Sequence, residues 1–318
     1  MEDVANIWIW TGFSLFLLFA LCIDAMLLKK KFARPSDSWR ASICWTLVWV
    51  SSALLFNLLL WIYLRYTTNP IIAQEVALNF LTGYLIEKSL SIDNLFAFYM
   101  VFTQLNIPDA YQQRVFSYGI WSAIVMRLIM ILLGTWLVVH FHWLLYLMGA
   151  FLLLTGIKMF FIREHIKDIA DVAIIKMTKR FFRVTDKLHE NRFFIRQHNL
   201  LYATPLFIAL VFIEFSDLIF AFDSIPAIFA ITQDPFIVWS SNIFAILGLR
   251  ALYFVLANMV MKLHLLKYGI ALILVFVGTK MVIAPWMKIP VLYSLGIIAI
   301  ILALFTLLSL LEKPDRGK

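Results

Sequence analysis

Long apolar runs, separated by short polar or basic segments, dominate the chain from one end to the other. A run must cover about 30 Å of hydrocarbon to cross a bilayer, which takes about 20 helical residues. Nine runs meet that length, near 7–28, 41–64, 76–105, 114–139, 142–162, 200–231, 236–259, 266–284 and 290–311. The pattern predicts an all-α polytopic membrane protein of about nine transmembrane helices. The first run, IWIWTGFSLFLLFALCIDAMLL, has no basic residue before it and reads as a retained span rather than a cleaved signal. Composition agrees: 63% of residues are hydrophobic and 14% charged, where a soluble domain carries about 25% charge.

The basic residues orient these spans. Of the 27 Lys and Arg, 20 fall on the side that holds the first loop, the loop 163–199 and the C-terminal tail. Only Arg65 and Lys288 fall on the other side, and Lys88, Arg127, Lys158, Arg250 and Lys280 lie within spans. The N-terminus is therefore expected outside and the C-terminus in the cytoplasm. The net charge of +8 is accounted for by this asymmetry and implies no nucleic-acid partner. The loop 163–199 carries nine Lys and Arg and is expected to form a short amphipathic element at the membrane surface.

Two blocks of the chain match each other. SIDNLFAF (91–98) resembles FSDLIFAF (215–222) and aligns Asp93 with Asp217. SAIVMRLIMILLG (122–134) aligns with FAILGLRALYFVL (244–256), pairing Arg127 with Arg250. LLLTGIKMF (152–160) aligns with LVFVGTKMV (274–282), pairing Lys158 with Lys280. The offsets are 124, 123 and 122 residues. Each block holds three spans, so the copies cross the membrane in opposite senses, an arrangement common in secondary transporters with a site near the midplane. The organisation predicted is two peripheral helices in 1–75, a first repeat in 76–162, a cytoplasmic basic loop in 163–199, a second inverted repeat in 200–284, and a ninth helix with a cytoplasmic tail in 285–318.

The acids within spans are Asp24, Glu87, Asp93, Glu214, Asp217 and Asp223. A charge at the bilayer centre costs at least about 2.5–3.5 kcal/mol, so such groups face a protein interior and pair. Arg127, Arg250, Lys158 and Lys280 are expected in structural or gating roles: the arginines stay protonated and suit a clamp on the acidic spans, and the lysines near span ends snorkel or pair. Glu87 and Asn94, seven residues apart, share a helix face, and Glu214 and Asp217 are neighbours on theirs. Pro226 removes a backbone donor and frees the carbonyl of residue 222. The 32-residue span 200–231 is expected to break near Pro205 or Pro226. Glu87, Asp93, Asn94, Glu214, Asp217, Asp223 and Ser224 would then converge as hard oxygen donors. Such a set suits Mg²⁺, Ca²⁺ or Mn²⁺ better than soft metals. A carboxylate left buried without its metal takes up a proton more readily, which makes cation/proton antiport chemically natural.

Other chemistry is poorly represented. Cys22 and Cys44 form neither a disulfide framework nor a zinc spacing. The sequence has no nucleotide-binding loop and no nucleophile with a partnered base, so an enzyme is not expected, nor is a prosthetic group.

FLTGYLIEKSLSIDNLFAF (80–98) and the stretch 202–254, which contains IEFSDLIFAFDSIPAIF, strongly resemble the TerC family of integral membrane proteins, with the match nearest its Alx branch. The resemblance covers essentially the whole chain. It implies export of manganese across the bacterial cytoplasmic (inner) membrane, with the family's acidic motif residues falling on Glu87, Asp93, Asn94, Glu214, Asp217, Asp223 and Ser224. The partners implied are a divalent metal ion as substrate and membrane lipid. The alternative reading is a membrane partner that assists folding or metalation of secreted or membrane proteins, with tellurium resistance as an indirect phenotype. The residues themselves leave open the ion among hard divalents, the direction of flux, the coupling ion and the oligomeric state.

Overall fold

A computed structural model describes residues 7–31, 38–141, 143–161, 177–178, 180–185, 188, 192–197, 200–257, 265–287 and 289–311. Each of the nine apolar runs contains helix. In chain order these are α1 (Ile7–Lys31), α2 (Ser38–Thr67), α3 (Pro70–Gln104), α4 (Asp109–His140) and α5 (Leu144–Phe161). A hairpin of β1 (Phe194–Gln197) and β2 (Leu200–Ala203) follows. The second half holds α6 (Pro205–Phe229), α7 (Pro235–Leu247), α8 (Leu249–Ala257), α9 (Leu266–Ile283) and α10 (Val291–Leu311). Seven described stretches are long and apolar enough to cross a membrane. The acid-bearing α3 is not among them, and α1 contributes the shorter apolar stretch Ile9–Ile23.

Three helix starts are written plainly in the sequence. Asn69, Thr204 and Asp234 each precede a proline at the first helical position, where the missing N–H costs nothing. The Asn69 side chain accepts from the Ile71 N–H at 3.0 Å. Asp234 accepts from the N–H groups of Phe236 and Ile237 at 2.9 and 3.1 Å.

Of the two positions expected for a break in 200–231, the chain breaks at Pro205 and not at Pro226. Residues 200–203 form a strand rather than the start of a span, and α6 begins at Pro205 with 25 residues, about 38 Å at 1.5 Å per residue. That length crosses in one piece, and the helix continues through Pro226, which sits in its last turn. The seventh span is the interrupted one: α7 ends at Leu247, Gly248 intervenes, and α8 starts at Leu249. Most of the loop 163–199, including any amphipathic surface helix there, lies outside the described residues; its described end is the hairpin.

The inverted repeat is visible in one helix pair. α5 and α9 form the most extensive interhelical contact. A methyl group on Gly156 would meet the Ala271 carbonyl and the Val275 backbone nitrogen at 2.8 and 2.9 Å. One on Gly278 would meet the Gly149 carbonyl and the Leu153 backbone nitrogen, both at 2.7 Å. At an offset of 122 residues, Gly156 corresponds to Gly278, Gly149 to Ala271 and Leu153 to Val275. The two sets of contacts are thus the same contact made twice, related by a twofold axis between antiparallel helices. Small residues allow this backbone approach, which supplies the packing that replaces a hydrophobic driving force in lipid.

α7 is buried on every side from Phe236 to Leu247, as a mostly apolar helix is, with Ser240, Ser241 and Asn242 its buried polar residues. Trp10 and Phe13 of α1 and Phe56 of α2 pack on its Phe236, Trp239 and Phe244. α1, α2 and α10 lie outside the repeat. Leu15, Phe19, Leu55, Leu304 and Leu307 are exposed on them, as lipid-facing side chains are.

Candidate functional site

α3 and α6, the two acid-bearing helices, run antiparallel: Gly83 of α3 lies against Ile228 at the end of α6, and Leu95 and Phe98, farther along α3, share a cluster with Leu206 and Ile213 nearer the start of α6. Between them stands Arg127 of α4, fully enclosed at 1% exposure. Its Nε and Nη2 grip Asp217 of α6 at 3.2 and 2.7 Å in the forked geometry that guanidinium and carboxylate share. Its Nη1 donates to Glu87 Oε1 of α3 and to Asn242 Oδ1 of α7, the latter at 2.5 Å. Four helices are tied at one atom group. Glu87 and Asp217 are 1% and 5% exposed. Two carboxylates against one guanidinium leave the knot one negative charge in excess when both are ionised, a surplus that a cation or a proton can balance.

Two oxygens on each facing helix are buried without a hydrogen-bond partner among the described residues: Glu87 Oε2 and Asn94 Oδ1 on α3, and Asp223 Oδ1 and Ser224 Oγ on α6. Ser91 Oγ donates weakly to Glu87 Oε1 at 3.4 Å. At 3.6 residues per turn, Glu87 and Asn94 share one face of α3, and Asp217 and Ser224 share one face of α6. Carboxylate, amide and hydroxyl oxygens therefore line both facing helices.

The seven expected donors do not converge on one point. Glu214 is directed to α4, where Ser122 donates to it. Asp223, nine residues or two and a half turns after Glu214, faces the opposite side of α6 and lies beside Thr155 of α5. Among the described residues, no three Asp, Glu, His or Cys side chains enclose a metal ion. The side chains of Asp93 and Asp24 lie outside the described residues. The acids also obey the repeat less than expected. Asp93 and Asp217 are 124 residues apart, but Glu87 and Glu214 are 127 apart, three positions out of register.

The repeat-related bases have diverged in surroundings. Arg250 is buried and its Nη1 donates to Ser117 Oγ at 3.1 Å. Lys158 is exposed, whereas its counterpart Lys280 is buried and donates to Ser294 Oγ at 3.0 Å.

Sequence reasoning missed the seat of Lys88. Its Nζ donates to the Ala245 carbonyl at 3.2 Å, in the last turn of α7. An ammonium there suits the carbonyl-rich helix end. A methyl group on Gly248 would stand 2.7 Å from that Nζ and 3.2 Å from Trp49 Cβ, so the interruption, its glycine and the lysine fit as one unit. The available signal was a glycine just before Arg250 in an otherwise apolar span. Asn242, Ser117 and Ser122 carried no distinguishing pattern.

The family model for "Integral membrane protein TerC family" matches residues 72–317. A candidate membrane-bound redox modulator, Alx, of Salmonella typhi is 46% identical over 318 residues, covering 100% of this chain and 98% of that protein. The protein of the same name in Escherichia coli K12 is 48% identical over 298 residues, covering 94% and 92%. STKORF319, a membrane protein of Myxococcus xanthus, is 42% identical over 304 residues, covering 96% and 92%. No solved structure matches the chain. With the bundle's helices, the repeat and the family match in agreement, the chain belongs to the TerC family of integral membrane proteins.

Proposed function

We propose that this protein is a secondary transporter that exports a hard divalent cation, Mn²⁺ above others, from the cytoplasm through the seam between α3 and α6. The observation that carries the reading is the Arg127 knot: Glu87 and Asp217, one from each repeat, held in the bundle interior by a resident guanidinium. Buried ionisable groups at membrane depth mark ion pathways. In this mechanism Arg127 is the counter-ion of the cation-free state. An arriving Mn²⁺ takes oxygens of Glu87 and Asp217, with Asn94 and Ser224 as neutral donors, and Arg127 keeps Asn242 as its remaining partner. Release on the far side returns the guanidinium to the carboxylates. Protons entering as the metal leaves would balance the same surplus charge. The basic-residue asymmetry supports the inner membrane, with the N-terminus outside.

The test is intracellular manganese in cells that lack their own exporter and are loaded with the metal. Wild-type protein should lower it. Asp217→Asn, present in the membrane at equal amount, should not. Equal manganese with both would count against transport. The name of the relatives supplies a second reading, redox modulation, and the exposed, unbonded Cys22 and Cys44 are the groups to examine for it. A Cys22→Ser/Cys44→Ser variant that still lowers manganese separates the two.

A further inference from the structure

At the end of the bundle opposite the hairpin, a cavity of about 620 Å³ opens between the starts of α3, α5 and α10 and the ends of α6 and α9. Its walls are mostly apolar, with Leu145, Met281 and Leu292 among them, and Lys280 lines it. Gln74, Glu75 and Gln233 are the other polar groups with long side chains there. A volume of this size with apolar walls and a few placed polar groups is the usual form of a small-molecule site.

Lys280 is the unexplained member. It is 8% exposed, and among the described residues its one hydrogen bond is to the neutral Ser294 hydroxyl at 3.0 Å. No carboxylate among the described residues lies within ion-pair distance of it, Glu75 included. An ammonium offers three donors, so two remain. Snorkelling does not account for it, since the repeat-related Lys158 reaches the surface and Lys280 does not. Cation transport does not call for it either, because Lys280 lies near the end of α9 and bonds no acid of the Arg127 knot. A buried charge is tolerated when an opposite charge meets it, and the cavity has room for an anion with an apolar body.

We propose that this cavity binds an anionic amphiphile of the membrane, whose phosphate or carboxylate pairs with Lys280 and whose acyl chain lies along Leu145, Met281 and Leu292. The assignment is independent of which ion, if any, the Arg127 knot transports. The negative head completes the bonding of a lysine that already ties α9 to α10 through Ser294, so occupancy also fastens α10 to the repeat.

The test is photolabelling of the purified full-length protein in detergent, using diazirine analogues of phosphatidylglycerol and of oleate, followed by peptide mapping. Adducts are expected on residues 71–78, 145–146 and 281–292. Lys280→Met should reduce them at least tenfold, while Lys280→Arg and Glu75→Gln keep them. Ala284→Trp blocks the mouth without touching the lysine and should reduce them equally in a protein that elutes as wild type. Labelling by one analogue alone identifies the head group and supports the site. Undiminished labelling in Lys280→Met and Ala284→Trp overturns it. Equal protection by inorganic phosphate and by unlabelled amphiphile overturns the amphiphile assignment.

Discussion

Replacing Gly278 or Gly156 with alanine should destabilise the protein by similar amounts, because the two positions are the same contact seen from either side of the twofold axis. At Gly278 the added methyl would lie 2.7 Å from both the Gly149 carbonyl and the Leu153 nitrogen; at Gly156 it would lie 2.8 Å from the Ala271 carbonyl. Ordinary contact begins near 3.4 Å. The atoms in the way are backbone, so the helices themselves must part by several tenths of an ångström. A gap of about 0.5–1 Å forfeits roughly a quarter to a half of each dispersion contact. Overpacking of this kind costs about 1–3 kcal/mol, and the better helix propensity of alanine returns at most about 1 kcal/mol. The net expectation is a loss of about 1–2 kcal/mol for each variant. The double variant should fall short of the sum, since one separation relieves both clashes. Thermal unfolding in detergent, followed by fluorescence and by loss of the monodisperse peak, measures this. Gly12→Ala and Gly296→Ala are the controls, because nothing lies within 4 Å of either added methyl. Gly156→Ala and Gly278→Ala variants as stable as those controls would refute the twofold packing.

Lys88→Met should cost about 1–3 kcal/mol by leaving the Ala245 carbonyl without its donor. Gly248→Ala, whose closest clash is with the movable tip of that lysine, should cost less than Gly278→Ala in the same assay. Asp234→Ala removes a side chain that caps two N–H groups of α7 and should cost about 1 kcal/mol, with Asp234→Asn restoring most of it. Arg127→Met leaves Glu87 and Asp217 buried without their counter-charge, a loss of about 3–5 kcal/mol. Millimolar Mn²⁺ should raise the thermal midpoint of this variant more than that of wild type, since ligand binding to the folded state stabilises it; equal shifts would contradict the exchange of guanidinium for metal.

Hydropathy located the apolar runs, each of which contains helix and seven of which, among the described residues, are long and apolar enough to cross a membrane, because crossing lipid imposes a length and an apolar composition that few other structures need. It could not locate the interruption of a span. Gly248 is one glycine in a buried apolar helix, and its meaning depends on Lys88, 160 residues earlier in the chain. Pro226 misled for the converse reason: in the last turn of α6 the carbonyl it frees is near a helix end that lacks partners anyway. The repeat was legible through charged residues, yet its plainest physical trace is in Gly156 and Gly278, which sit beside the aligned lysines. The acids were found by their rarity in lipid. Their grouping was not, because Arg127 draws Glu87 and Asp217 together across the bundle while Ser122 and Thr155 engage Glu214 and Asp223 on other faces. Asn242 was invisible for the same reason: only its position opposite Arg127 distinguishes it.

The most direct test of the central claim is Mn²⁺ flux in proteoliposomes that hold purified wild-type protein or Asp217→Asn, with internal pH recorded at the same time. Wild type should move Mn²⁺ down an imposed gradient with an opposing proton movement, and Asp217→Asn should fall to the rate of empty liposomes. Flux through Asp217→Asn at the wild-type rate, or no flux through the wild type above empty liposomes, would contradict a cation path through the Arg127 knot.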